Sequence, residues 1–101
     1  MLIACFTRED RRNLAETRLV ELRQKERAYY QKLVGSSQLR SYYLHDYGRG
    51  NLLIFDVGSV EEMHRHVMLS PMALYQRTTI YPLMAMQALR DLTARMAGGS
   101  Q

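Results

Sequence analysis

Few residues in this chain have the means to move a proton between carbon atoms: Glu26, three histidines and a set of tyrosines. A carboxylate or imidazole works as a general base only where its surroundings bring its pKa near the working pH. Glu26 falls inside an apolar stripe, Ala15, Leu19, Leu22, Glu26, Tyr29 and Leu33, whose spacing traces one face of a helix. Two readings of it stand. Either it is an edge position that pairs with Arg18, Arg23 or Lys25 or reaches solvent, or it is a carboxylate in a partly apolar site with a raised pKa. In the second case Lys25 and Arg18 flank the stripe and offer cations to an anion.

His45 lies in a segment, Gln38 to Tyr47, that reads as a strand. Alternation puts Leu39, Ser41, Tyr43, His45 and Tyr47 on one side and Arg40, Tyr42, Leu44 and Asp46 on the other. That is too much polarity and aromaticity for two ordinary core faces. The Ser41–Tyr43–His45 side is our choice for a cavity lining, with the Arg40 side as the alternative. The structural reading of either is an interface or satisfied core hydrogen bonds. His64 and His66 are two apart and therefore on different helix faces, so they cannot chelate one metal as an i,i+4 pair would. His64 is expected to pack beside Val60 and Val67, and His66 to face water beside Glu62. No metal and no cofactor is expected.

The elements that must hold these residues follow in order. Met1 to Thr7 is an apolar strand, read as buried on both faces. A helix runs from about Glu9 to Val34 and stops at Gly35. The second strand follows, and Gly48-Arg49-Gly50 turns it into a third, Asn51 to Val57. Ser59, with Glu62 three residues on, caps a second helix that Pro71 limits. A loop leads to a fourth strand, about Gln76 to Tyr81, closed by Pro82. A last amphipathic helix spans Met84 to Met96, and Gly98 to Gln101 is read as a loose tail. The order βαββαβ is that of a ferredoxin-like α+β fold with an antiparallel sheet, one face on two helices and the other free. Residues 1–84 form that unit and residues 85–101 an appendage expected to dock on a neighbouring subunit.

Composition narrows the partners. At 101 residues with 47% hydrophobic residues the chain is one globular domain of common size. The net charge of +4 is spread among acidic residues from Arg8 to Lys32. A nucleic-acid footprint needs a one-signed stripe, so that partner is excluded, whereas a small anionic ligand is compatible. Cys5 is the single cysteine, and it reads as an inert buried thiol in a reducing, cytoplasmic setting. No segment has the character of a signal peptide or membrane span.

Phe55-Asp56-Val57 with Ser59, then Glu62-Met63-His64, Pro71, Tyr75 and Pro82-Leu83 resemble the second half of the muconolactone isomerase family. The resemblance implies a dimeric α/β barrel and a cofactor-free isomerase of aromatic catabolism. Such an enzyme shifts a double bond in a small carboxylated lactone through a dienolate. The chemistry calls for a base, a donor to the oxyanion and a cation for the carboxylate. Here His45 or Glu26 would be the base, Tyr43 the donor, and Arg40 or Lys25 the anchor, with Ser41, His64 and Tyr75 as further binding residues. The chain departs from the family pattern in having no tryptophan and a differently placed arginine on its second strand. The runner-up functions are a cofactor-free oxygenase or cyclase of an aromatic polyketide, or a non-catalytic ligand-binding or assembly subunit.

Overall fold

The computed structural model describes residues 1–99. Four strands and three helices follow the order β1 (Leu2–Glu9), α1 (Glu16–Val34), β2 (Leu39–His45), β3 (Gly50–Asp56), α2 (Val60–Met68), β4 (Gln76–Leu83) and α3 (Met86–Gly99). The sheet order is β2-β3-β1-β4 with every neighbouring pair antiparallel, the ferredoxin-like arrangement. Both α1 and α2 cover one face. Ile3, Cys5, Leu39, Leu53 and Phe55 point to them and form the core with Tyr30, Val57, Met63 and Val67.

Local chemistry explains most boundaries. Ser59 adopts extended geometry and its hydroxyl accepts the Glu62 N–H at 3.2 Å, while Glu62 reaches back to the Gly58 N–H at 3.0 Å. The first strand is longer than its apolar run suggests. Arg8 and Glu9 stay in the sheet because Arg8 pairs with Gly50 and Arg77, and Glu9 with Gln76. The helix expected from Glu9 therefore begins only at Glu16, with no side-chain cap at Ala15. On α1 the buried stripe is Leu19, Leu22, Glu26 and Tyr30, so Tyr30 takes the central place expected for Tyr29. Tyr29 sits at the margin, donating its hydroxyl to the His66 carbonyl at 2.6 Å.

Strand β2 is where alternation fails. A bulge between Leu39 and Ser41 shifts the register at Arg40. Leu39, opposite Phe55, faces the helices, while Ser41, Tyr43 and His45 face the other way. Tyr47 is not on the strand. It lies in a short 3-10 turn, Asp46–Gly48, in which Asp46, Tyr47 and Gly48 all have positive φ, and its side chain is in solvent.

The far face of the sheet carries Phe6 from β1, Tyr43 from β2 and Tyr81 and Leu83 from β4, all exposed. So the first strand is buried on its helix side but only partly on the other. Helix α3 is exposed along its described side chains, Leu89, Leu92 and Met96 included. It accounts for the long axis of a molecule measuring 64 × 26 × 23 Å. Gly98 and Gly99 close this helix rather than starting a tail, and residues 100 and 101 lie outside the described residues. Among the described residues no helix is long and apolar enough to cross a membrane.

Candidate functional site

Helix α1 brings Glu26 down onto the centre of the sheet, between Leu22 and Tyr30 on the same stripe. Its side chain is 7% exposed. The sheet meets it with Asn51, whose Nδ2–H donates to Glu26 Oε2 at 3.1 Å. Asn51 in turn is held by Thr7, whose hydroxyl oxygen accepts the Asn51 backbone N–H at 3.2 Å. Both residues are buried on the helix face. From the loop after α2, the Ser70 hydroxyl and the Met72 backbone N–H close the third side.

Desolvation dominates the electrostatics of this carboxylate. Burial pushes the Glu26 pKa up, and the contacts to Ser70, Asn51 and Met72 only partly oppose that. One of its oxygens, Oε1, is buried without a hydrogen-bond partner, as is the Tyr30 hydroxyl close by. Burial raises the Tyr30, Tyr29 and Tyr42 hydroxyl pKa values, and the Glu26 charge adds to each of them. The Ser70 hydroxyl is the polar group next to both Glu26 and Tyr30.

Beside Glu26 is a cavity of about 10 Å³, room for roughly one water. Arg23, Arg27, Arg49 and Glu9 line it with Thr7 and Asn51. An outer cleft of about 360 Å³ shares the walls Glu9, Arg23 and Arg49. Between the two, Arg23 grips Glu9 with both arms of its guanidinium, the Nη2–Oε2 contact being 2.7 Å. Neither expected anchor is here. Lys25 lies on the solvent side of α1, paired with Glu21 at 3.0 Å, and Arg40 sits at the β2 bulge beside Asp56 at 3.8 Å. Arg18 also pairs with Glu21, at 3.0 Å.

His45 and Tyr43 are on the opposite side of the sheet from Glu26. The His45 ring lies over Gly50, with Nε2 2.9 Å from the Thr7 carbonyl, and packs edge-on against Phe6 at 5.7 Å between ring centres. Phe6 meets Tyr81 in the same edge-on manner. Tyr43 is 59% exposed and Ser41 half-buried on that open face. The residues expected to share one pocket are thus split by the sheet into two groups, Glu26 on one side and His45, Tyr43 and Ser41 on the other.

The helix histidines exchange their expected roles. His64 is exposed, while His66 stacks on Phe55 with ring planes 8° apart and centres 6.0 Å apart. The physical reason is phase: Met63 and Val67 define the buried line of α2, and His66 is one turn from Met63. Tyr75 packs against Leu19, Leu22 and Met72 near the end of α1. Among the described residues no group of three or more His, Cys, Asp or Glu could hold a metal. The sequence reading missed Asn51, Ser70, Arg27 and Arg49. A signal existed only for Asn51, a polar residue at the start of an otherwise apolar strand.

A four-stranded ferredoxin-like sheet, two covering helices and a carboxylate buried between them define an α+β domain with a polar chamber under its first helix. No protein-family model and no curated protein matches the chain. Solved structures do. A muconolactone isomerase superposes with a TM-score of 0.72 at 22% identity, covering 84% of this chain and 90% of that one. The 5-chloro-2-hydroxyhydroquinone dehydrochlorinase of Burkholderia phenoliruptrix AC1100, solved with 2,5-dihydroxybenzoquinone, superposes at 0.64 and 20%, covering 86% and 97%. The chain has the muconolactone isomerase-like fold.

Proposed function

We propose that this chain is a cofactor-free enzyme of the muconolactone isomerase kind, moving a double bond by proton transfer in a small carboxylated lactone or related ring. The observation that carries this reading is Glu26: a buried carboxylate, raised in pKa, with one unpaired oxygen beside a cavity rich in arginine. A fold shared with two enzymes of small ring compounds is in keeping with it.

In the reaction, Glu26 takes a proton from a ring carbon next to the unsaturated system. The electron pair left behind spreads onto the ring carbonyl oxygen as a dienolate, and the same carboxyl returns the proton to a different carbon. No atom is gained or lost. Asn51, which uses one amide N–H on Glu26, has a second for the oxyanion. Because the inner cavity is water-sized, a ring reaches Glu26 only when long side chains at its mouth swing aside.

A second reading rests on the far face. Phe6, Tyr43, His45 and Tyr81 form an aromatic surface suited to a phenolic ligand once another copy covers it. That would serve an oxygenase or cyclase of an aromatic polyketide, with His45 and Tyr43 at work, or a non-catalytic binding subunit. In either case a homodimer or larger assembly, with α3 docked on the neighbour, would bury apolar surface that one copy leaves in water. The single buried cysteine keeps a cytoplasmic setting as our expectation.

Proton–deuterium exchange and turnover of muconolactone followed by NMR test the first reading. We expect isomerisation by the parent protein, a loss of roughly 10²–10⁴-fold in Glu26→Gln, and most of the rate kept in His45→Ala. Loss in His45→Ala with Glu26→Gln active would move the chemistry to the far face. No turnover by a folded protein would remove the isomerase reading.

A further inference from the structure

Most charged groups around the Glu26 cavity have partners, and one does not. Glu9 is taken by Arg23. The two oxygens of Asp46 are shared by Arg8 at 3.4 Å and Arg49 at 3.6 Å. Glu26 accepts from Asn51. Of the three guanidinium groups that line the inner cavity, Arg27 alone makes no ion pair and no hydrogen bond among the described residues. It is half-buried, follows Glu26 directly in α1, and lines the same cavity as Glu26.

The fold makes room for it. The 3-10 turn after β2 passes under the Arg27 guanidinium, and a methyl group on Gly48 would lie 3.1 Å from Nη2. Gly48 has φ +86°, a conformation that a side chain would strain, so glycine both permits the turn and leaves space for the guanidinium. A cation with no ion pair or hydrogen bond of its own, set partly out of water, gains most from an anion brought by a ligand, and a guanidinium binds a carboxylate through two parallel N–H bonds.

We infer that Arg27 is the anion anchor of this cavity, the residue that holds the carboxylate of a small ring acid beside Glu26. The assignment rests on the proposed enzyme reading for its substrate class but not for its geometry. It replaces Arg40 and Lys25, which are paired elsewhere. As a positioning residue, Arg27 fixes which ring carbon faces the base, and an uncharged ester of the same ring has no grip there.

The test uses a saturated ligand that cannot isomerise, 5-oxotetrahydrofuran-2-carboxylate, with its methyl ester as control. Each is titrated into the parent protein, Arg27→Gln and Arg27→Lys, with affinity read from backbone amide NMR shifts at Gly48 and Asn51. The same spectra report folding. We expect the acid to bind the parent and to lose about 10- to 100-fold in affinity in Arg27→Gln. Arg27→Lys should recover part of that, and the ester should bind weakly and equally to all. Equal binding of the acid to folded Arg27→Gln, or no binding to the parent, overturns the anchor. Charge-dependent binding through Arg27 without muconolactone turnover upholds the anchor and sinks the isomerase reading instead.

Discussion

Asn51 on β3 donates to Glu26 on α1 across the helix–sheet interface at 3.1 Å, tying a buried acid of the helix to the sheet beneath it. The bond steadies the carboxylate, but it does not offset burial, so Glu26 holds its proton to a higher pH in the folded chain than in the unfolded one.

That difference fixes the sign of a stability effect. A carboxyl with a raised folded pKa binds more protons in the native state, so its contribution is fully present below the unfolded value, near 4.5. The contribution is lost as pH rises through the folded value. Glu26→Gln keeps the shape and removes the titration. The variant should melt a few degrees above the parent at about pH 8, with the gap closing as pH falls toward the unfolded carboxyl range. Thermal melts across pH decide it, and a gap that widens on acidification would reverse the assignment.

Gly50 is fixed by contact rather than by an unusual backbone angle. A Cβ there would run into the Thr7 carbonyl oxygen and the His45 ring, and the first of these is backbone and cannot turn away. Gly50→Ala should cost about 1–3 kcal/mol in denaturant unfolding. It should also move the His45 ring signals, since the 2.9 Å contact of Nε2 with the Thr7 carbonyl passes over this glycine. A neutral substitution would mean that β2 and β3 separate more easily than their register implies.

Cys5 is fully buried in β1, and burial pushes its thiol pKa up to about 12. Alkylation needs the thiolate. Iodoacetamide at neutral pH should therefore leave the native protein unmodified and label it promptly in denaturant, with mass spectrometry as the readout. Rapid labelling of the native state would show that β1 opens readily.

The element order, the Ser59 cap, the place of the hairpin turn and the ferredoxin-like class are all legible along the chain. These rest on local signals: a capping hydroxyl, glycines, prolines and the periods of strand and helix. Glu26 stood out in the same way, as a charge on an apolar stripe. What Glu26 meets depends on the folded chain. Asn51 and Ser70 reach it from β3 and from the loop after α2, and no spacing along the chain encodes that meeting. The strand alternation was legible, yet the Arg40 bulge set Leu39 apart from Ser41, Tyr43 and His45. His66 rather than His64 turned inward because the packing of Met63 and Val67 set the phase of α2. Which cations are free was equally hidden. Lys25 has its carboxylate one turn back on α1, but Arg40 and Arg27 look alike in sequence, and what separates them is that Asp56 of β3 comes within reach of Arg40.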